Sequence, residues 1–386
     1  MTVRHLPLEG IRVIEMTHMV AGPTAGLILA DLGADVIKVE PSPGGDKTRG
    51  LTGGGIGFFA IMNRNKRSVL VDLKTAAGHA EVLDLIASAD VLLENFRPGA
   101  MDKLGFSADT LMTHNPRLIY CSVKGFLSGP YEHRAALDEV VQMMAGLAYM
   151  TGPPGQPLRA GSSVVDIMCG MFAVIAVQAA LRERERTGCG QKVAAALFET
   201  CAMLMAQHMM QTSITGKTVP PMSVRQPAWG IYDIFNCVDG PLFVGVVTDT
   251  QWRGFCEGFA LTQLATDARL ATNNGRRENR WWLIPMLCEV IAPMTRAQFE
   301  DKVEALGLPY APIAKPEDLF ADPHLLASGG LLALTLPDGR VAATPALPLE
   351  MGGRRFGIRT GLPTPGEHTD EVLGEVRAAK IKRARI

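Results

Sequence analysis

The sequence lacks the motifs of several large enzyme classes. It contains no G-x-S-x-G pentapeptide for a serine hydrolase, and none of its cysteines has the local pattern of a cysteine protease. Its eight histidines are scattered along the chain and form no H-x-x-x-H pair. Because metal-ligating histidines usually recur at short spacings, we expect no metal centre.

Basic residues are not in excess either. The chain has 38 Lys and Arg against 39 Asp and Glu, a formal net charge of −1, which argues against general nucleic-acid binding. Its seven cysteines form no C-x-x-C pair, and we expect reduced thiols in a cytoplasmic protein. The N-terminus has neither the apolar core of a signal peptide nor an Arg/Ser-rich transit pattern.

The composition is that of a globular protein with a large core. Hydrophobic residues make up 47% of the 386 positions, enough for two domains. The run from Val164 to Leu181 is apolar apart from Asp166 and Gln178. It barely reaches the roughly 18 residues of a membrane span. With no second such run, we predict a buried helix and no membrane partner.

Short β-branched runs alternate with helical patterns over residues 1–125 and predict a Rossmann-like parallel α/β sheet. The predicted strands are Ile11–Met16, Asp35–Glu40, Ser68–Leu73, Ala89–Phe96 and Arg117–Val123. The turn AGPTAG lacks the G-x-G-x-x-G spacing and contains Pro23, so NAD binding is not expected, although Glu40 ends the second strand. A strand and a helix are also predicted after the long apolar run.

The order of predicted strands, helices and turns divides the chain into three segments. Residues 1–215 form a large Rossmann-like domain, 225–325 a small α+β domain with a hairpin at Asp239–Gly240, and 326–386 a segment that returns to the large domain. The Pro-rich stretch Thr215–Pro227 is a predicted linker. The glycine-rich stretch Gly44–Gly57 is predicted to be a flexible surface loop or lid.

Asp166 has an unusual position at the start of the long apolar run. Ser162 and Ser163 precede it, and serine is a preferred N-cap, which places Asp166 in the first turn of a helix. One interpretation is a capping aspartate at a solvent edge. The other is a partly desolvated carboxylate kept reactive for covalent catalysis, with Gly170 leaving room beside it.

Arginine and lysine recur near the ends of the predicted strands, in NRNKRS, DLK, ENFRPGAMDKLG and SGPYEHRAALDEVVQ. Taken singly, each is explained by surface solvation. Ligands of open α/β sheets bind beyond the carboxyl ends of the strands. Several cations at that edge therefore favour a polyphosphorylated ligand.

Longer stretches carry a resemblance to a known family. They are LEGIRVIEMTHMVAGPTAGLILADLGADVIKVEPSPGGDKTR, NRNKRSVLVDLK, LLENFRPGAMDKLGF, GPYEHRAALDEVVQMMAGL, GSSVVDIMCG and IYDIFNCVDGPLFVGVVTDTQWRGFC. In this order the chain resembles the class III coenzyme A transferases, the CaiB/BaiF family that includes formyl-CoA:oxalate transferase. The resemblance implies a large Rossmann-like domain and a smaller α+β domain. It also implies a homodimer of two interlocked chains.

The resemblance also implies a reaction and its residues. Asp166 matches the family's nucleophile, which attacks an acyl-CoA thioester and passes through an aspartyl-CoA thioester, with acyl-CoA as substrate and no permanently bound cofactor. The implied coenzyme A contacts are Val20, Ala21, the Val71–Lys74 segment (in particular Val71 and Lys74), Asn95, Phe96, Arg97, Lys103 and the His133–Leu137 segment (in particular Arg134). We expect His18, Arg49 and Tyr232 to face the acyl group.

The sequence departs from parts of the family. Pro41 replaces a basic residue that some members carry after the second strand, and QPAWGIYD replaces the tetraglycine loop of the formyl-CoA enzymes. We therefore do not expect formyl-CoA:oxalate specificity, and short dicarboxylates are the substrates that family habit suggests. Racemases of the same fold carry His-Asp where this chain has Leu137–Asp138. An acyl-CoA racemase or isomerase and a non-catalytic acyl-CoA binding protein remain the alternatives.

Overall fold

A six-stranded parallel sheet lies at the centre of the first of two structural units in the computed structural model, which describes residues 5–384. Its strands are β1 (Arg12–Met16), β2 (Asp35–Pro41), β3 (Lys66–Val71), β4 (Val91–Glu94), β5 (Ile119–Lys124) and β6 (Lys192–Ala196). Their spatial order is β3-β2-β1-β4-β5-β6. The order reverses between β1 and β4, where doubly wound sheets bind ligands at their carboxyl ends.

Helices flank this sheet and continue to the start of the second unit. They are α1 (Ala21–Asp31), α2 (Phe58–Met62), α3 (Ala76–Ala87), α4 (Ala100–Lys103), α5 (Ala108–His114), α6 (Asp138–Met144), α7 (Leu147–Thr151), α8 (Val164–Thr187), α9 (Leu197–Leu204) and α10 (Ala206–Thr215). The stretch predicted as a flexible loop contains two short 3-10 turns, Lys47–Gly50 and Gly53–Gly55.

The sheet has a core on each face because neighbouring residues of a strand point in opposite directions. In β1, Val13 packs into one cluster with α1 and α8, and Ile14 packs into the other with α3 and α17 (Thr369–Ala384). The prediction of a parallel α/β sheet is thus confirmed, with strand ends shifted by about two residues. Strand β3, for example, begins at Lys66 because the NRNKRS stretch enters the sheet rather than the loop.

Helix α8 contains the long apolar run and is long and apolar enough, by length and composition, to cross a membrane. One of its faces is buried against α1, α9 and strands β5 and β6. The buried side chains are Val165, Cys169, Ala173, Val177 and Ala180. The opposite face leaves Met171 and Ile175 exposed. The prediction of a buried helix therefore holds for one face only.

Residues 323–384 belong to the first unit together with residues 5–223. They contribute α16 (Pro323–Ala327), α17 and the strands β10 (Leu331–Thr335), β11 (Val341–Pro345), β12 (Glu350–Met351) and β13 (Arg354–Arg355). Glu375 of α17 forms ion pairs with Arg12 and Arg67, which lie on β1 and β3. These contacts tie the end of the chain to the central sheet.

The second unit spans Val224–Asp322. Strands β7 (Ile231–Cys237), β8 (Gly240–Val246) and β9 (Tyr310–Pro312) form an antiparallel sheet. Its helices are α11 (Asp249–Gly258), α12 (Thr262–Thr266), α13 (Asn273–Glu278), α14 (Arg280–Ile291) and α15 (Arg296–Ala305). Trp252, Phe255 and Phe299 are buried in its core. The predicted hairpin is present, and Gly240 adopts the positive φ of 149° that favours glycine.

Candidate active site

Two clefts open at the carboxyl end of the parallel sheet. The Asp166 cleft, of about 380 Å³, is lined by His18, Met19, Val20, Ala21, Gly54, Gly55, Phe58, Asn95, Val123, Lys124, Gly125, Ala136, Leu137, Asp138, Glu139, Arg159, Ser163, Asp166 and Leu197. The Lys74 cleft, of about 550 Å³, is lined by Met16, Thr17, His18, Met19, Val39, Glu40, Pro41, Ser42, Asp46, Lys47, Thr48, Val71, Asp72, Leu73, Lys74 and Phe96. His18 and Met19 line both, so the clefts adjoin at these two residues.

The first turn of α8 is capped by a carboxylate from another helix. Ser163 occupies the N-cap position, but its side chain makes no capping hydrogen bond. Instead, one carboxylate oxygen of buried Asp138 accepts hydrogen bonds from the backbone N–H groups of Val165, at 2.9 Å, and Asp166, at 3.0 Å. Since Asp138 takes over the capping, the carboxylate of Asp166 is not needed as a cap.

The side chain of Asp166 is half-buried, and no cation in the described part of the chain forms an ion pair with it. Within residues 5–384 its carboxylate oxygens make no hydrogen bond and no ion pair. Burial, together with the nearby carboxylates of Asp138 and Glu139, raises the pKa of Asp166 to about 7. A weakly solvated carboxylate of raised pKa is more nucleophilic than an aspartate in water.

Gly170 has a different role from the one expected. A Cβ at this position would lie 2.6 Å from the backbone oxygen of Ala21 and 2.9 Å from the Cβ of Thr24. The glycine therefore allows α8 to pack closely on α1, and it does not open space beside Asp166. This close packing brings Val20 and Ala21 to the same cleft as Asp166.

A buried charge network supports the loop between β1 and α1. Glu15, Lys38 and Lys66 are fully buried, and Glu15 pairs with Lys38 at 3.2 Å and with Lys66 at 2.7 Å. Lys38 donates to the backbone oxygen of Thr17 at 2.8 Å, and Lys66 donates to that of Pro23 at 3.0 Å. Burial lowers the pKa of Lys66 to about 8. Both lysines thus hold backbone carbonyls on either side of the cleft-lining segment.

Asn95 holds the same loop from the end of β4. Its side-chain oxygen accepts from the N–H of His18 at 3.0 Å, and its amide donates to the His18 carbonyl at 2.8 Å. The next residue, Met19, has a φ of 66°, in the left-handed region. Such a conformation persists where surrounding contacts enforce it. Desolvation lowers the pKa of His18, which favours a neutral imidazole at pH 7.

Charged side chains of both signs line the Asp166 cleft in addition to Asp166 itself. Arg159 pairs with Glu139 at 3.3 Å, and Lys124 lies at the end of β5. The segment that carries Arg159 is fixed on each side of that residue. Leu158 N–H donates to the Ala148 carbonyl at 3.0 Å, and Ala160 N–H donates to the Gln142 side-chain oxygen at 2.8 Å.

The structure brings many of the residues named from the sequence to the two clefts. His18, Val20, Ala21, Asn95 and Asp166 line the Asp166 cleft. His18, Val71, Lys74 and Phe96 line the Lys74 cleft. The predicted contacts with a coenzyme A molecule are therefore divided between two adjoining cavities.

Within the segments named from the sequence, Ala136 and Leu137 also line the Asp166 cleft, and Asp72 and Leu73 line the Lys74 cleft. Five other residues named from the sequence line neither cleft. Arg97, Lys103 and Arg134 are exposed, and the Arg134 guanidinium stacks over the Tyr131 ring at 4.9 Å. Arg49 forms a bidentate ion pair with Glu40, at 2.6 and 2.7 Å. Tyr232 lies on β7 of the second unit and packs edge-on against Phe243. Within residues 5–384, no group of three or more His, Cys, Asp or Glu residues is arranged to hold a metal ion.

The sequence did not indicate the residues around Asp166. Asp138 and Gln142 lie on α6, and Arg159 lies between α7 and α8 and lines the same cleft as Asp166. No local spacing in the sequence predicts that these segments pack together. The buried network did leave a sign in the sequence. Glu15 and Lys38 interrupt otherwise apolar strands, and they are direct neighbours across β1 and β2. Paired opposite charges in two buried strands indicate an internal ion pair.

Known proteins resemble this chain along nearly its whole length. The model of the family described as CoA-transferase family III matches residues 8–369. The succinate–glutarate CoA-transferase of Agrobacterium fabrum is 36% identical over 385 residues, covering 97% of this chain and 96% of that protein. The acetyl-CoA:oxalate CoA-transferase of Acetobacter aceti is 35% identical, covering 84% and 87%. A crystal structure of a CaiB/BaiF family protein from Brucella suis is similar, with a TM-score of 0.84, 35% identity, and coverage of 97% and 100%.

Proposed function

The chain belongs to CoA-transferase family III, and we propose that it moves coenzyme A from an acyl-CoA donor to a carboxylic acid through a covalent intermediate on Asp166. The observation that carries this proposal is the half-buried carboxylate of Asp166 in a cleft without a paired cation. An ionised carboxylate at this position destabilises the folded protein, because it is desolvated by burial and repelled by the carboxylates of Asp138 and Glu139. A reactive function accounts for this destabilisation.

The proposed reaction has four acyl-transfer steps. The Asp166 carboxylate attacks the thioester carbon of the donor, the C–S bond breaks, and a mixed anhydride and CoA thiolate form. The thiolate then attacks the Asp166 carbonyl, which releases the donor acid as a carboxylate and leaves an aspartyl-CoA thioester. The acceptor carboxylate attacks the aspartyl-CoA thioester, which releases the CoA thiolate and forms a second mixed anhydride. The thiolate then attacks the acceptor's carbonyl in this anhydride and forms the product acyl-CoA. The Asp166 carboxylate is regenerated, and no net proton is taken up.

Each attack places negative charge on a carbonyl oxygen in the Asp166 cleft. The N–H groups of Ala21 and Gly22, in the first turn of α1, have no acceptors within their own helix, and this turn lines the cleft at Ala21. Pro23 has no N–H, and the N–H of Thr24 donates to the carbonyl of Val20 at 2.8 Å. We infer that the N–H groups of Ala21 and Gly22 stabilise the developing oxyanion. The corresponding amides of α8 are not available, because Asp138 accepts hydrogen bonds from Val165 and Asp166.

We infer that the two clefts hold different parts of the coenzyme. The Lys74 cleft combines apolar side chains (Val39, Val71, Leu73 and Phe96) with Lys47 and Lys74. This mixture suits an adenine ring and its phosphates, with lysine acting as a point charge. The pantetheine arm then passes His18 and Met19 and presents its thioester to Asp166.

We propose short dicarboxylic acids as the acyl groups. The succinate–glutarate and acetyl-CoA:oxalate transferases that resemble this chain are named for such acids. The Asp166 cleft offers Lys124 and Arg159 to a second carboxylate. A permanently bound cofactor is not required by this chemistry.

We also propose an interlocked homodimer in the cytoplasm. A single chain leaves a series of large apolar side chains exposed on three consecutive helices, namely Met171, Ile175, Met203, Met209, Met210 and Ile214. Apolar patches of this kind are typical of permanent subunit interfaces. All seven cysteines are free, as is usual in a reducing compartment.

The experiment is mass spectrometry of the protein after incubation with succinyl-CoA and hydroxylamine. Hydroxylamine converts an aspartyl thioester to a hydroxamate, so we expect a modified peptide carrying Asp166. Asp166→Asn is the matched variant and should remain unmodified. A protein that stays unmodified with several acyl-CoA donors would contradict the proposal. Exchange of the donor's α-proton with deuterium in that case would indicate a racemase or isomerase, and tight binding without turnover would indicate a binding protein.

A further inference from the structure

Arg159 lines the Asp166 cleft, and the one ion pair that it forms among the described residues 5–384 is with the partly exposed carboxylate of Glu139. We propose that Arg159 binds the distal carboxylate of a dicarboxylic acyl group held at Asp166, and that Glu139 occupies Arg159 when this carboxylate is absent. The inference rests on the proposed transferase function and adds the residue that selects dicarboxylates over monocarboxylates.

The ion pair between Arg159 and Glu139 is suited to exchange. The Arg159 and Glu139 side chains are 48% and 50% exposed, and their closest nitrogen and oxygen atoms are 3.3 Å apart. Exposed ion pairs of this kind contribute about 0–1 kcal/mol. A substrate carboxylate can therefore replace Glu139 at little cost, and the planar guanidinium can bind it through two parallel hydrogen bonds.

The backbone of Arg159 is held at a fixed position relative to Asp166. The N–H of Asp166 donates to Asp138, whose other carboxylate oxygen accepts from the side-chain amide of Gln142. The oxygen of that same amide accepts from the N–H of Ala160 at 2.8 Å. Three side-chain-mediated hydrogen bonds thus connect the backbone of the nucleophile to the residue after Arg159. A recognition group on a rigid support is what chain-length selection requires.

Lys124 is the other long cation that lines this cleft. It lies at the end of β5, whereas Arg159 lies on the α7–α8 segment that is hydrogen-bonded to Asp138 through Gln142. A lysine also binds a carboxylate as a point charge without bidentate geometry. We therefore assign the selection to Arg159, and the experiment compares both residues.

The experiment measures kcat/KM for CoA transfer from succinyl-CoA and from butyryl-CoA at pH 8. The two donors have acyl chains of equal length, with a methyl group in place of the distal carboxylate. Arg159→Gln should lower kcat/KM for succinyl-CoA by about 10- to 100-fold, the range expected for a lost charged hydrogen bond, and change butyryl-CoA by less than about threefold. Arg159→Lys should restore part of the preference. Glu139→Gln should raise kcat/KM for succinyl-CoA, because it removes the competing carboxylate.

Arg340→Gln is the matched control, since Arg340 is an exposed arginine paired with Asp338 in the β10–β11 turn, outside both clefts. Equal losses for both donors in Arg159→Gln would overturn the inference. A selective loss in Lys124→Met but not in Arg159→Gln would also overturn it. If the wild-type protein forms no covalent intermediate with any donor, the transferase proposal fails by itself. Calorimetric binding of the two acyl-CoA compounds to wild type and Arg159→Gln then decides whether Arg159 discriminates between them.

Discussion

Replacing Asp166, the proposed nucleophile, with asparagine should make the folded protein more stable. Asp166→Asn keeps the shape of the side chain and removes a charge that lies half-buried beside Asp138 and Glu139. Within residues 5–384 the Asp166 carboxylate accepts no hydrogen bond that the amide would forfeit. We therefore expect a variant that is inactive in transfer yet unfolds at a higher urea concentration than the wild type.

The pKa of Asp166 sets the expected increase in the free energy of unfolding of Asp166→Asn. A rise from 3.8 to about 7 corresponds to about 4 kcal/mol of selective destabilisation of the ionised form. Water reaches the half-buried side chain, so we expect a gain of about 2 kcal/mol at pH 8. The sign depends on pH. Because the pKa of Asp166 is higher in the folded protein, the contribution of Asp166 to stability is most favourable below pH 4 and becomes less favourable as pH rises to 7. At pH 5 the gain should be below about 1 kcal/mol.

The assay is urea denaturation of both proteins at pH 5 and pH 8, at one fixed protein concentration so that subunit association does not change. Asp109→Asn is the matched control, because Asp109 also lies in the first turn of a helix but is exposed. It should be neutral or slightly destabilising at both values of pH. A variant Asp166→Asn that is equally stable or less stable than wild type at pH 8 would refute the desolvated carboxylate.

Three further predictions concern Asp166 and the helix that carries it. The rate of covalent intermediate formation at low succinyl-CoA should fall about tenfold per unit as pH drops below 7, since the nucleophile is then protonated, and quenched-flow trapping with hydroxylamine measures it. Asp138→Asn should move the midpoint to lower pH by removing a neighbouring negative charge, so an unshifted midpoint would contradict that cause. Gly170→Ala should cost about 1–3 kcal/mol in thermal or urea unfolding, because its Cβ would meet backbone at 2.6 Å. Gly374→Ala, with nothing within 4 Å, is the control and should not destabilise; equal effects of the two would contradict the packing argument.

The sheet was predictable because its strands are buried on both faces. Runs such as IRVIEM and DVIKVE are rich in β-branched residues and alternate with helical patterns, which is typical of parallel sheets. The strand ends were less predictable, since hydrogen bonding across the sheet rather than composition decides them. In β3 the charged residues Lys66 and Arg67 pair within the unit, Lys66 with Glu15 and Arg67 with Asp35. Those partners are brought together only by the fold.

Asp166 was noticeable in the sequence because a lone carboxylate in an apolar run is chemically unusual. The contacts that surround Asp166 could not be predicted from the sequence. Serine residues before Asp166 predicted a local cap, yet the cap comes from Asp138, which lies 28 residues earlier. Gly170 suggested open space, whereas its missing side chain serves the contact with Ala21. Each difference arises because contacts between helices, and not local preferences, determine the surroundings of the first turn of α8.

The capping by Asp138 connects the reactivity of the site with its selectivity. Because Asp138 accepts from the backbone of Asp166, it fixes the first turn of α8, and because it is negative, it also raises the pKa of Asp166. Its second oxygen orients Gln142, which in turn holds the backbone beside Arg159. A neutral cap such as the Ser163 hydroxyl would hold the helix, but it would neither raise the pKa of Asp166 nor orient Gln142. The proposed function accounts for the cost of burying a second carboxylate, because Asp138 both raises the pKa of the proposed nucleophile and holds the segment that carries Arg159, the proposed selective cation.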